Sequence, residues 1–213
     1  MATWLVHLRV ADVLLGGMNL PRRDFLAGNI APDCGLPTSD GGFDPPKQTT
    51  HWTTQSKGRC NYSAFAEHMF PLANNDNEWA FLLGYYAHLM TDCLWVKLIN
   101  DPCKIANREL YSSDRSEYYR RVKADWYDND AAYLTLHPNL SVLTEFSSIE
   151  CYDSSIIPYY GADNVQRQIV HIAEFYRKRI YDGREFVYLT PEQVNIFVPT
   201  AAELISRQLM EYV

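Results

Sequence analysis

Between about residues 76 and 99 the chain reads as one long helix that is apolar throughout its middle. Phe81, Leu82, Leu89, Leu94 and Trp95 fall in or beside the segment Gly84-Tyr85-Tyr86-Ala87-His88-Leu89-Met90-Thr91-Asp92-Cys93. A helix hydrophobic on all sides has to be buried, so the rest of the chain must pack around it. Inside this apolar sleeve stand one imidazole and one carboxylate, His88 and Asp92. Positions i and i+4 share a helix face, about 5–6 Å apart at Cβ. At that separation an imidazole nitrogen and a carboxylate oxygen can close on one metal ion, and the pair suits Zn, Mn or Fe. An ionised Asp92 is costly in such surroundings unless it is paired or metal-bound. A buried ion pair or hydrogen bond between the two explains them equally well at this point.

The flanking sequence supplies more helices and no sheet. Residues 3–15 repeat apolar positions at helical spacing and stop at Gly16-Gly17. Pro21 opens a short helix over Arg22 to Ile30. Residues 31–50 hold Pro32, Gly35, Pro37, Gly41, Gly42, Pro45 and Pro46, a long loop of the kind that is often functional. Asn61 or Ser63 can cap a helix that runs through Phe70. Pro102 is expected to interrupt the long helix, with a shorter one to Tyr111. Further helices are expected over 114–134, 139–151 and 163–181. The last opens on Thr190-Pro191-Glu192-Gln193, a capping box with proline at the first helical position, and Pro199 should kink it. The fold class is all-α, a compact multi-helix bundle with a long ordered loop between helices two and three. With 213 residues, the expectation is a single domain spanning 1–213.

Charge and cysteine usage narrow the function classes. A net charge of −7 argues against a nucleic-acid footprint and against simple electrostatic binding to anionic lipid. The first twelve residues carry Arg9 and Asp12 and no basic leader, so they do not read as a signal peptide. No run approaches the length of a membrane span. Cys34, Cys60, Cys93, Cys103 and Cys151 are odd in number and form no CxxC. They read as free thiols in a reducing compartment, which points to the cytoplasm.

Other candidate ligands stand upstream of the long helix: His7 in the first helix, Asp33 at the exit of the second, and His51 at the end of the loop. Singly, each has an ordinary explanation. A histidine on an apolar helix face is more often a hydrogen-bonded core residue than a ligand, Asp33 after a proline suits an Asx turn, and His51 beside Trp52 suits a packing pair. In order, they resemble the zinc-dependent phospholipase C family, whose fold also houses the single-strand-specific zinc nucleases. The matching text is His7, a Gly-x-x-x-Pro-Asp turn (Gly28 to Asp33), Thr50-His51-Trp52, and Gly84-x-x-x-His88-x-x-x-Asp92 followed by Trp95. The resemblance covers about residues 3–99.

The resemblance implies roles. Asp33, His51, His88 and Asp92 would hold one zinc. Asp92 would bridge to a second, which His7 also binds. A bridging carboxylate sets two metals about 3.5–4 Å apart, where they clamp both oxygens of an in-line phosphoryl displacement. Gly84, one turn before His88, would let another helix approach the metal layer. Asp33 is also the candidate base. Lys47 and Arg22 are candidates to hold a non-bridging oxygen, with a solvated surface role as the alternative for each. The implied activity is a metal-dependent hydrolysis of a phosphate ester, with a small-molecule or lipid phosphoester as substrate and one or two zinc ions.

The chain departs from the family in two ways. Secreted members use a free N-terminal tryptophan amine on the second metal, whereas Trp4 is internal. A further site in those enzymes uses two histidines and a glutamate downstream of the bridging aspartate, and here no His-x-x-x-Glu follows Asp92. His137 reads as a loop residue, His171 and Glu174 at i,i+3 are more simply an ordinary helix pair than a makeshift site, and His68 reads as a core or helix-end histidine. Two alternatives stay open. One is a non-catalytic all-α domain with a structural metal. The other is a metal-free polar core in which His7, His88 and Asp92 satisfy one another.

Overall fold

The computed structural model describes residues 1–53 and 60–212. Helix follows helix along most of the chain: α1 (Trp4–Gly16), α2 (Arg22–Ile30), then a 3-10 turn over Ala31–Asp33. The long loop contains a small antiparallel hairpin, β1 (Leu36–Pro37) on β2 (Phe43–Asp44), and a single helical turn, α3 (Lys47–Thr50). After it come α4 (Tyr62–Met69), α5 (Asp76–Trp95), a π turn (Val96–Asn100), α6 (Asp101–Ala106) and α7 (Arg108–Ser113). The chain continues through α8 (Arg115–Leu136), α9 (Ser141–Ser147), α10 (Asn164–Arg177) and α11 (Pro191–Leu209). No described helix is long and apolar enough to cross a membrane.

The all-helical pattern follows from local signals. Asn61 caps α4 by accepting from the Ala64 amide, and Asn75 caps α5 by accepting from Glu78. Thr190 and Gln193 close the capping box of α11, which continues through Pro199. Several boundaries differ from the sequence reading: the helix expected over 139–151 spans only Ser141–Ser147, and the one expected to Tyr111 is split into α6 and α7. Pro102 does not interrupt the long helix. The π turn carries the chain into α6, where Pro102 sits in the first turn and its missing N–H leaves no bond unmade. Helix α10 stops at Arg177, short of residue 181.

Helix α5 is the axis of the molecule, and every residue from Ala80 to Asp92 is buried. Helix α2 packs closely against it, and two glycines permit the approach. A Cβ on Gly84 would lie 2.1 Å from the Phe25 carbonyl oxygen, and a Cβ on Gly28 would lie 1.9 Å from that of Phe81. These contacts are with backbone, so no side-chain movement could relieve them. The backbones of α2 and α5 can meet only with glycine at both positions.

Helix α1 is held against the bundle by elements far along the chain. Thr3, its N-cap, donates through Oγ1 to Asp130 on α8 at 2.9 Å. The Tyr176 hydroxyl on α10 accepts from the Leu5 amide at 2.8 Å and donates to Asp130 at 2.9 Å. Arg9 donates to Asn195 on α11 at 2.7 Å and lies over the Tyr133 ring. A second buried carboxylate, Asp125 on α8, ties down the segment before α11. It accepts from the backbone amides of Val187 and Leu189 at 2.8 and 3.2 Å, from that of Tyr188 as well, and from Arg184 at 2.7 Å.

Candidate metal centre

Four elements deliver five side chains to one point. His7 comes from α1, Asp33 from the 3-10 turn, His51 from the end of α3, and His88 and Asp92 from α5. His7, His88 and Asp92 have no exposed surface, and His51 is 4% exposed. The ligand atoms of His7, His88 and Asp92 lie within 4.8 Å of one another, and so do those of Asp33, His51 and His88. Asp92 stands between the two groups. Its Oδ1 is 3.3 Å from His7 Nε2, and its Oδ2 is 3.6 Å from His51 Nε2 and 3.8 Å from His88 Nε2. Asp33 Oδ1 is 3.6 Å from His51 Nε2.

Secondary contacts aim these rings. A carbonyl oxygen can only accept, so His88 Nδ1 carries the proton it donates to the Asn29 carbonyl at 2.7 Å. The lone pair is thereby fixed on Nε2, toward the cluster. The contact exists because α2 lies so close to α5. His7 stacks on His88 with ring centres 3.8 Å apart and planes 1° from parallel. The His51 turn is pinned by the Tyr85 hydroxyl, which donates to the Thr50 carbonyl, and Thr50 Oγ1 is 3.0 Å from His51 Nδ1. Trp52 follows at φ 50°, in the left-handed region that a bulky residue seldom adopts. That strain is held by its packing against Phe65 and its indole bond to Tyr159.

Electrostatics favour the neutral form of His88 and His51 and the charged form of both carboxylates. Burial, then His7, lowers His88 to about 3, outweighing the upward pull of Asp92 and Asp33. Burial likewise lowers His51, against Asp33 and Asp92. Burial alone would raise Asp92, but the N-terminal ammonium, His7 and His88 hold it well below the usual carboxylate range. Burial opposes ionisation of Asp33 too, and Lys47, His88 and His51 overcome it. Neutral imidazoles and ionised carboxylates are the protonation states that metal coordination requires.

The residues fit a divalent ion because their polar atoms lack partners. Both nitrogens of His7, Nε2 of His51 and of His88, and Oδ2 of Asp92 are buried with no hydrogen bond among the described residues. A self-satisfied polar core closes such bonds; here, among the described residues, only His7 Nε2 and Asp92 Oδ1, 3.3 Å apart, come near to pairing. Two histidines with carboxylates make a zinc donor set.

Asp33 is where the cluster meets the outside. A cavity of about 850 Å³ reaches Asp33, Ala2 and Lys47. Asp33 Oδ1 accepts from Lys47 Nζ at 3.0 Å, and Oδ2 accepts from the Trp4 indole at 3.0 Å. The Ala2 amide reaches the centre, donating to Asp92 Oδ1 at 2.9 Å.

The remaining candidates divide between the two readings given for them. Arg22 is not at the site; it pairs with Asp12 and Glu145, each at 2.8 Å. Among the described residues, His171 and Glu174 do not turn to a common point. His171 lines the cavity against Trp4, while Glu174 turns to Arg177 and Lys178. His137 rests on Tyr133. His68 is the helix-end histidine, with Nδ1 on the Ala64 carbonyl. The five cysteines are free thiols. Sequence reasoning missed the Trp4 indole and the Asn29 carbonyl. Trp4 had a signal: three residues before His7, it shares that residue's helix face.

The family model for zinc-dependent phospholipase C matches residues 5–124, more than half of the chain. No curated protein and no solved structure matches.

Proposed function

The chain belongs to the zinc-dependent phospholipase C family, and on that premise we propose that residues 1–213 form one domain that hydrolyses a phosphodiester, with a small-molecule or lipid phosphoester as substrate. The observation that carries this reading is the set of unpartnered imidazole nitrogens converging on ionised Asp92 beside a cavity that ends at Asp33. A structural metal site is closed, whereas a catalytic one keeps an approach for water and substrate. The cavity at Asp33 favours the catalytic reading.

Asp33, His51, His88 and Asp92 would hold one zinc, and His7 with Asp92 a second. The same donors also accept Mn or Fe. When bound, zinc supplies Lewis-acid stabilisation of the phosphoryl charge and lowers the pKa of water. The chain's own groups have separate tasks. Lys47 and the Trp4 indole fix the plane of the Asp33 carboxylate. Asp33, kept ionised by Lys47, accepts the proton of the attacking water. Lys47 also faces the cavity, where its ammonium can meet a phosphate oxygen. Five free cysteines agree with a reducing compartment, so the proposed location is the cytoplasm.

The test is elemental analysis of protein purified without chelator, alongside turnover of a generic phosphodiester and a generic phosphomonoester. At least one zinc per chain with hydrolysis of the diester is the expected result. Protein that stays metal-free after dialysis against Zn and Mn, with unchanged melting temperature, overturns it. Bound metal without turnover would leave the structural-metal alternative.

A further inference from the structure

The walls of the cavity carry a charge opposite to that of the chain. Helix α6 contributes Lys104, α8 contributes Lys123, α10 contributes Arg167 with His171, and α3 contributes Lys47. Asp33 is the one carboxylate lining the cavity among the described residues. Four permanent cations therefore face one anion in a chain of net charge −7. Lys47 pairs with Asp33 at 3.0 Å. Lys104 and Arg167 pair with Asp101 at 2.9 Å and Asp163 at 3.1 Å, but neither of those carboxylates lines the cavity. Lys123 has no ion-pair partner among the described residues.

Such a wall discriminates in both directions. A cationic headgroup could stack on Trp4 and Trp126, which also line the cavity. It would nevertheless meet like charges and find no free carboxylate to pair with, so this surface works against it. An anionic group would find donors from three helices at once.

Resting on the phosphodiesterase reading, we propose that this cavity selects phosphodiesters whose second substituent carries an additional acidic group, with Lys123 and Arg167 as the residues that set the preference. Both side chains are exposed on their helices and far in sequence from the proposed ligands, so their replacement leaves the core intact.

The experiment uses the full chain loaded with zinc and reads equilibrium binding by calorimetry. The probes are dihexanoyl phosphatidylserine and dihexanoyl phosphatidylethanolamine, which differ only by a carboxylate, together with deacylated glycerophosphoserine and glycerophosphoethanolamine. The serine compounds should bind roughly tenfold more tightly, in keeping with one added charge pair near a protein surface. A preference in both pairs assigns the selection to the headgroup, and one confined to the acylated pair assigns the source to lipid. Lys123→Glu combined with Arg167→Glu should erase the preference. Lys97→Glu combined with Lys178→Glu changes net charge equally outside the cavity and should preserve it. Equal binding of serine and ethanolamine compounds overturns the proposal. So does a preference that survives Lys123→Glu/Arg167→Glu, or one that the outside pair removes as fully. Turnover of the same compounds separates the two readings. Selective binding without hydrolysis of any of them removes the phosphodiesterase reading and leaves the selectivity. Equal binding with hydrolysis does the reverse.

Discussion

Among the aspartates buried on long helices, Asp92 on α5 and Asp125 on α8 have no exposed surface at all, and their surroundings are opposite. Asp125 is saturated: three backbone amides and an arginine use its oxygens. Asp92 receives one backbone amide on Oδ1, while Oδ2 faces imidazole nitrogens that donate nothing to it. Burial of a charge is common to both, so burial alone does not mark a site. What separates them is unmet bonding capacity. At Asp125 it is zero and the carboxylate fastens a segment, whereas at Asp92 several lone pairs without hydrogen-bond partners converge on one point.

That contrast can be broken by substitution. Asp92→Asn keeps the shape of the side chain and removes the charge shared by both groups. It should lower metal occupancy at both positions and abolish phosphodiesterase activity, as read by metal stoichiometry and turnover. Asp125→Ala should act on stability instead. Leaving the buried Leu189 amide without an acceptor costs about 1–3 kcal/mol, the Val187 and Tyr188 amides can turn to water, and the total expected in denaturant unfolding is about 1–3 kcal/mol. The metal content of the folded fraction should stay at the wild-type value, and a fall would show that the two regions are not separable. His7→Ala is the narrower change. One metal per chain should remain on Asp33, His51, His88 and Asp92, while any two-metal activity disappears. Wild-type metal count and activity in that variant would make His7 a core histidine.

The smallest effect is a graded one with pH. His88 is lowered to about 3 in the folded chain, against about 6.5 for a free imidazole. Between these values the unfolded chain binds more protons, so the stability of the metal-free protein falls as pH drops from about 6.5 toward 3. The slope is at most about 1.4 kcal/mol per pH unit for each such histidine. Saturating metal adds about 4 kcal/mol at a thousand times its dissociation constant. A chelator should therefore lower the melting temperature near neutral pH and matter less in acid. Because His88 resists protonation, that decline should begin at lower pH than a free imidazole would give. Equal chelator effects across the range would argue against histidine ligation.

The convergence of His7, Asp33, His51, His88 and Asp92 was legible as an ordered set of short motifs, with the i,i+4 pair fixing the face of α5. The closeness of α2 to α5 was legible at Gly84, because a missing side chain inside an apolar helix needs a neighbour to fill the space. Other parts left no trace in residue types. The Asn29 carbonyl that orients His88 is a backbone atom, which any residue would supply. Arg22 and Lys47 are both cations near the loop, yet one pairs with Asp12 and Glu145 and the other with Asp33, and only tertiary packing decides between them. The cavity wall on α8 and α10 comes from helix faces without a motif, brought opposite the centre by long-range contacts. Pro102 misled because a proline is tolerated wherever the preceding turn already leaves its position unbonded.

The anchoring of α1 bears on the order in which the molecule assembles. Its partners Asp130, Tyr176 and Asn195 lie 127, 171 and 186 residues along the chain from the groups they bind. Closing loops of that length is a late event in folding. Asp33, His51, His88 and Asp92 come together within a much shorter stretch. A chain emerging during synthesis would therefore gather four of its donors well before α10 and α11 arrive to seat His7. The last donor would then report that the whole chain has folded.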